Sequence, residues 1–143
     1  MIMADIFTPE ERSRIMSRIR DRNTKPELIV RRMVHRMGYR YRLHKKDLPG
    51  KPDIVLSKYR KVIFVHGCFW HVHTSCSHFT LPKTNSEFWM EKLKQNVERD
   101  ERNIKRLEEM GWKALVVWEC ETKHPEKLLE KLQVFLCDEF SGR

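Results

Sequence analysis

Within twelve consecutive positions, Val65-His66-Gly67-Cys68-Phe69-Trp70-His71-Val72-His73-Thr74-Ser75-Cys76, the chain gathers three imidazoles, two thiols and two large aromatic rings. Such a run is costly as ordinary core and useful as a metal and catalytic segment. Thiolate and imidazole at short spacing are the donors that zinc prefers, and Cys68, His71, His73 and Cys76 all qualify. Cys120 closes the apolar run Ala114-Leu115-Val116-Val117-Trp118-Glu119, from which it could return to the same place. If Cys68, His73, Cys76 and Cys120 take four tetrahedral positions, the site is closed and structural. His66 and His71 are then left over, and imidazoles beside a metal can serve as base, acid or phosphate partner at neutral pH.

Three acids are candidate partners. Asp53 follows the turn Leu48-Pro49-Gly50-Lys51-Pro52 and opens a strand, so its carboxylate should project at a sheet end, where it could hold a hard cation such as Mg²⁺. A solvated turn aspartate has the same local sequence, and only a tight hairpin would carry Asp53 to the His66 region. Glu27, in the first turn of a helix, could add a carboxylate or act as a cap. Asp100 lies three residues after Val97 and four before Ile104, on the apolar face of a long helix. An acid there either reaches water at the edge of the stripe or takes a histidine from the Cys/His segment, fixing its tautomer. Phe69 and Trp70, expected in an exposed polar loop, and Trp89, beside Phe88 at a helix start, suit stacking on nucleic acid bases or wedging between them. Membership of an apolar core is the commoner fate of such rings.

The elements that must position these groups are legible in the periodicity. Thr8-Pro9-Glu10-Glu11 starts a basic, sparsely apolar helix that runs to about Arg22, with Ile15, Met16 and Ile19 as its greasy positions. Arg12, Arg14, Arg18, Arg20 and Arg22 on it offer phosphate contacts or a solvated basic face. Thr24-Lys25-Pro26-Glu27 repeats the start signal for a better packed helix that Gly38 stops. Tyr39 to His44 alternates like a half-exposed strand; Asp53–Leu56 and Val62–Val65 read as a hairpin in a sheet centre. A long helix from about Ser86 to Met110, a strand from Trp112 to Glu119 and a helix from Pro125 to Cys137 complete the order. The expected fold class is α/β, one domain over residues 1–143, with a mixed sheet flanked by helices.

Twenty-nine Lys and Arg against twenty acids give a net charge of +9, a field that attracts phosphate backbones, membranes or acidic partners. No apolar run approaches the ~20 residues that span a bilayer, and the N-terminus lacks a basic region followed by an apolar one. The expectation is a cytoplasmic protein with four reduced cysteines, of which Cys137 is read as a small buried residue of the last helix.

Leu48-Pro49-Gly50-Lys51-Pro52-Asp53, Val62 to His71, Glu87-Phe88-Trp89, Asn96-Val97-Glu98-Arg99-Asp100 and Val117-Trp118-Glu119-Cys120 together resemble the motifs, in order, of the bacterial very short patch repair endonucleases. The similarity extends from about Arg12 to Cys120. It implies a restriction-endonuclease-like fold and Mg²⁺-dependent nicking of duplex DNA at T:G mismatches, with Zn²⁺ as a structural ion. A monomer is the default expectation, since nicking one strand requires one active site. Carried over by position, Asp53 and the main-chain carbonyl of Val65 would hold Mg²⁺, and His66 and His71 would act on water and phosphate. Asp100 would orient His71, Glu27 would be a supporting acid, and Cys68, His73, Cys76 and Cys120 would hold zinc. Phe69, Trp70 and Trp89 would wedge into the duplex, while the first helix, with Met16 and Ile19, would lie in the minor groove. Two other classes fit the residues: a non-catalytic zinc-containing DNA-binding module, and a restriction-type nuclease that cuts both strands of a matched site.

Overall fold

The computed structural model describes residues 24–74, 76 and 80–137. The expected first helix, with its arginines, Met16 and Ile19, lies outside the described residues. Helix α1 (Lys25–Arg36) starts where the capping signal places it: the Thr24 hydroxyl accepts the Glu27 N–H at 3.4 Å, and Pro26 occupies the first turn. Val30 and Val34, one turn apart, bury its apolar face. Gly38, at φ +90°, ends it in a conformation that costs glycine little.

Strand β1 is only Arg42–Leu43, shorter than the expected Tyr39–His44. At its end His44 takes φ 47°, outside the extended region, and its N–H makes a last cross-strand bond to the Asp53 carbonyl at 3.2 Å. Strands β2 (Ile54–Leu56) and β3 (Lys61–His66) form the expected hairpin, with Ile54 opposite Ile63 and Leu56 opposite Lys61. A short 3₁₀ turn at Ser57–Tyr59 and a left-handed Arg60 connect them. Helix α2 (Ser86–Glu109) then crosses over, and strand β4 (Lys113–Trp118) pairs parallel to β3. Helix α3 (Pro125–Leu136) closes the described chain.

The result is a four-stranded mixed sheet in the order β1-β2-β3-β4, with apolar clusters on both faces. Alternation along the strands explains the two layers. Ile54, Leu56, Ile63 and Val117 pack with Val30 and Val34 of α1 and with Leu128, Leu132 and Leu136 of α3. Val55, Val62 and Phe64 pack with Leu107 of α2 and with Trp112. The buried Lys61 ammonium donates to the carbonyls of Phe135 and Leu136 at 2.5 and 3.1 Å, capping the end of α3. Cys137 departs from expectation, being exposed, because α3 ends at Leu136 and its last apolar contact is made there. No helix among the described residues is long and apolar enough to cross a membrane.

Candidate active site and metal centre

The polar groups singled out in the sequence collect around the C-terminal end of β3 in three clusters. The first is Cys68, His73, Cys76 and Cys120, whose ligand atoms lie within 4.8 Å of one another. Three of them come from one tight segment. The His73 N–H donates to the Cys68 carbonyl at 2.8 Å, and Val72 adopts φ 57° to let the chain turn back. The fourth arrives on a 3₁₀ turn (Glu119–Lys123) that follows β4. His73 Nδ1 stands 3.5 Å from Cys120 Sγ. That separation matches two ligands of one tetrahedral zinc, about 3.5 Å for Zn–S near ~2.3 Å and Zn–N near ~2.0 Å. Burial pushes the Cys68 thiol up to about 12, with Cys76 and Cys120 against it. Without a cation the buried Cys68 is held as a neutral thiol, so the donor set fits a soft divalent ion that would deprotonate it on binding.

The second cluster is His66, His71 and Asp100. His66 ends β3 and His71 lies one turn further, where its N–H donates to the Gly67 carbonyl at 3.2 Å. The two imidazoles stack, centroids 3.7 Å apart and planes within 7°. Nδ1 of His71 donates to Asp100 Oδ2 at 2.5 Å, so Asp100 takes the histidine and is not a solvated edge residue. One turn earlier on the same face of α2, Asn96 donates to the Trp70 carbonyl at 3.0 Å. The loop is therefore held at consecutive residues by an i, i+4 pair. Burial, and next the charge of His71, hold the His66 pKa down at about 3. His66 is neutral at physiological pH.

Glu27, His44 and Asp53 form the third cluster. Asp53 Oδ2 accepts the Val65 N–H at 2.7 Å, which seats the carboxylate against the main chain of the residue immediately before His66. The Val65 side chain packs against the core on the α1 and α3 side, while its N–H is given to Asp53. Burial raises the Asp53 pKa to about 7, opposed by the Val65 N–H and reinforced by Glu27. Glu27, only 1% exposed, is held by Arg31 and by Nε2 of His44, which donates to it at 2.7 Å. Two apposed carboxylates in a half-dry pocket favour a cation between them.

Residues 4–78 match the family model of the DNA mismatch endonuclease Vsr. The DNA mismatch endonuclease Vsr of Escherichia coli K12 is 44% identical across 96% of this chain and 90% of its own length. The chain belongs to the Vsr family. It is a DNA endonuclease, and its helix-covered mixed sheet is the restriction-endonuclease-like fold of that family. It is also similar to two proteins named as type II nicking enzymes. V.NmeAIP of Neisseria meningitidis serogroup A is 50% identical over 91% of this chain and 92% of its own. V.XorIIP of Xanthomonas oryzae is 49% identical over 83% and 87%.

The aromatic residues of this Vsr protein sit differently from the exposed loop expected. Phe69 is 4% and Trp89 2% exposed, packed edge to face at 5.6 Å with Leu93, because the loop folds back onto α2. Trp70 is half-buried beside them, and Phe88, 53% exposed, presents its ring to solvent. The Trp89 indole N–H is buried with no acceptor among the described residues. Sequence reasoning passed over His44, Arg31 and Asn96. The i, i+4 spacings Glu27 to Arg31 and Asn96 to Asp100 were available signals; nothing local marked His44.

Proposed function

We propose that this Vsr protein nicks one strand of duplex DNA beside T:G mismatches, hydrolysing a single phosphodiester bond as a monomer. Mg²⁺ would be held by Asp53 and the Val65 carbonyl, and Zn²⁺ by Cys68, His73, Cys76 and Cys120. The observation that carries the reading is the seat of the Asp53 carboxylate on the Val65 peptide, next to a stacked His66–His71 pair that Asp100 orients.

What Mg²⁺ supplies when bound is charge neutralisation at phosphorus and a more acidic water. Asp100 fixes the His71 tautomer and leaves Nε2 to exchange a proton with water or the leaving oxygen. Neutral His66, its ring centroid 3.7 Å from that of His71, can donate its one ring N–H to a phosphate oxygen or accept a proton from water at its bare nitrogen. Glu27, clamped by Arg31 and His44, lies beside Asp53 as a supporting acid.

Recognition is assigned to Phe69, Trp70 and Trp89 as wedges, with Met16 and Ile19 in the minor groove. A mismatched step costs less to unstack than a paired one, so insertion converts weak pairing into selectivity. The Trp89 N–H has no acceptor among the described residues, so moving the ring into a duplex breaks no hydrogen bond to them. The test is a plasmid assay that scores intact, nicked and linear DNA on matched and mismatched substrate, with and without Mg²⁺. Nicked product only with mismatch and Mg²⁺ is expected, and Asp53→Ala should lower it at least ~1,000-fold while keeping zinc content and fold. Linear product from matched plasmid, or wild-type nicking by Asp53→Ala, would overturn the reading.

A further inference from the structure

A column of rings joins the metal centre to the histidine pair. His71 stacks on His66. Trp118 meets His66 edge to face, centroids 5.4 Å apart and planes at 70°. His73, one of the four candidate metal ligands, lies parallel to Trp118 at 4.2 Å and 5°. The sheet enforces this order, because His66 and Trp118 are direct partners in the parallel β3–β4 register and Cys120 follows two residues later. One strand end thus delivers both a metal ligand and the ring between the two sites.

Trp118 belongs to none of the three apolar clusters formed by the described residues, although its neighbour Val117 is buried in the main one. A tryptophan serving only stability would be expected among those clusters. Here an indole is committed to two imidazoles, and aromatic contacts of this kind constrain the rotation of each ring about its own axis. For a histidine, that rotation decides where each nitrogen points.

We infer that Trp118 is a positioning residue that couples the occupied Cys/His metal centre to the orientation of His66 and, through the stack, of His71. A bound metal fixes the His73 ring; His73 fixes Trp118; Trp118 fixes His66. The centre then contributes to catalysis beyond holding its loop. This rests on the proposed function for the roles of the histidine pair, and one readout below does not.

The experiment compares full-length, zinc-loaded wild type, Trp118→Leu, Trp118→Phe, His73→Cys and the double variant His73→Cys with Trp118→Leu. His73→Cys retains a fourth ligand for zinc while removing the ring from the column. For each protein, zinc per chain, affinity for mismatched duplex without Mg²⁺, and single-turnover nicking rate are measured. Trp118→Leu is expected to keep zinc and duplex affinity within about twofold and to lose roughly tenfold or more in nicking rate, a size usual for groups that orient a site. Trp118→Phe should recover most of that rate, and the double variant should be no slower than the slower single one. Independently of activity, the His66 ring signals in nitrogen-edited NMR should shift in Trp118→Leu.

Wild-type nicking by Trp118→Leu overturns the inference. So does parallel loss of zinc or duplex affinity in both Trp118 variants, which would mark a merely structural role. Additive effects of the two single substitutions also overturn it. If wild type fails to nick mismatched DNA, the proposed function falls, and an unshifted His66 signal in Trp118→Leu then decides against the coupling separately.

Discussion

The Cys/His centre and the carboxylate cluster lie on two sides of the same strand end, yet they are built by opposite means. Three of the four ligands of the first fall between Cys68 and Cys76, in a segment turned by its own short hydrogen bonds. The second draws Glu27 from α1, His44 from beyond β1 and Asp53 from the start of β2, three places that only the sheet brings together. A locally built site is part of its own backbone's stability; a site assembled from distant elements borrows its geometry from a framework that stands without it. Removing a ligand should therefore unfold the first region and spare the second.

The sharpest test of that contrast is Cys68→Ala. Loss of a buried ligand should release zinc, melt the loop that carries His71 and abolish nicking, since metal affinity in such sites is folding free energy. Retained zinc with a normal melting temperature would erase the contrast. Next in size, Asp100→Asn leaves the helix intact but presents the wrong partner to His71 Nδ1; nicking should fall ~10- to 100-fold with mismatch binding unchanged. Binding lost in step with rate would show that Asp100 holds the loop and not the ring.

Asp53→Asn should go the other way in stability. Its carboxyl is raised from the ordinary 3.8 to about 7, so folding favours the protonated form. That stability is fully present below about 4 and is lost as pH rises through about 7. In metal-free protein the Asn variant should therefore become the more stable one as pH rises, by on the order of 1 to 3 kcal/mol, discounted because the group is only half-buried. His66, held at about 3, has the opposite dependence, but it is common to both proteins and cancels in the difference. A stability difference that does not grow between pH 4 and 8 would contradict the buried acid. The smallest effect is expected at His44: His44→Ala should slow nicking about 5- to 10-fold by freeing Glu27, and His44→Gln, which keeps a donor, about twofold or less. Equal losses in both would rule out the hydrogen bond as its role.

The sequence by itself determined the order of elements in the described chain, because apolar period, capping residues and Gly38 and Gly111 are local signals that local backbone physics obeys. It also offered the thiols and imidazoles from which the cluster Cys68, His73, Cys76 and Cys120 is drawn, three of them close in the chain and therefore close in space. Tertiary structure alone decided that Asp100 takes His71 and not water, since a residue at the edge of an amphipathic stripe is free to do either until a loop arrives. It decided that His44 joins Glu27 across seventeen residues, that Cys137 is exposed, and that Phe69 and Trp89 fold inward. It also set Trp118 between two imidazoles, through a parallel register that no stretch of either strand encodes alone. The physical reason is common to these cases: spacing specifies which face a side chain leaves from, while its partner on that face is chosen by the packing of elements distant in the chain.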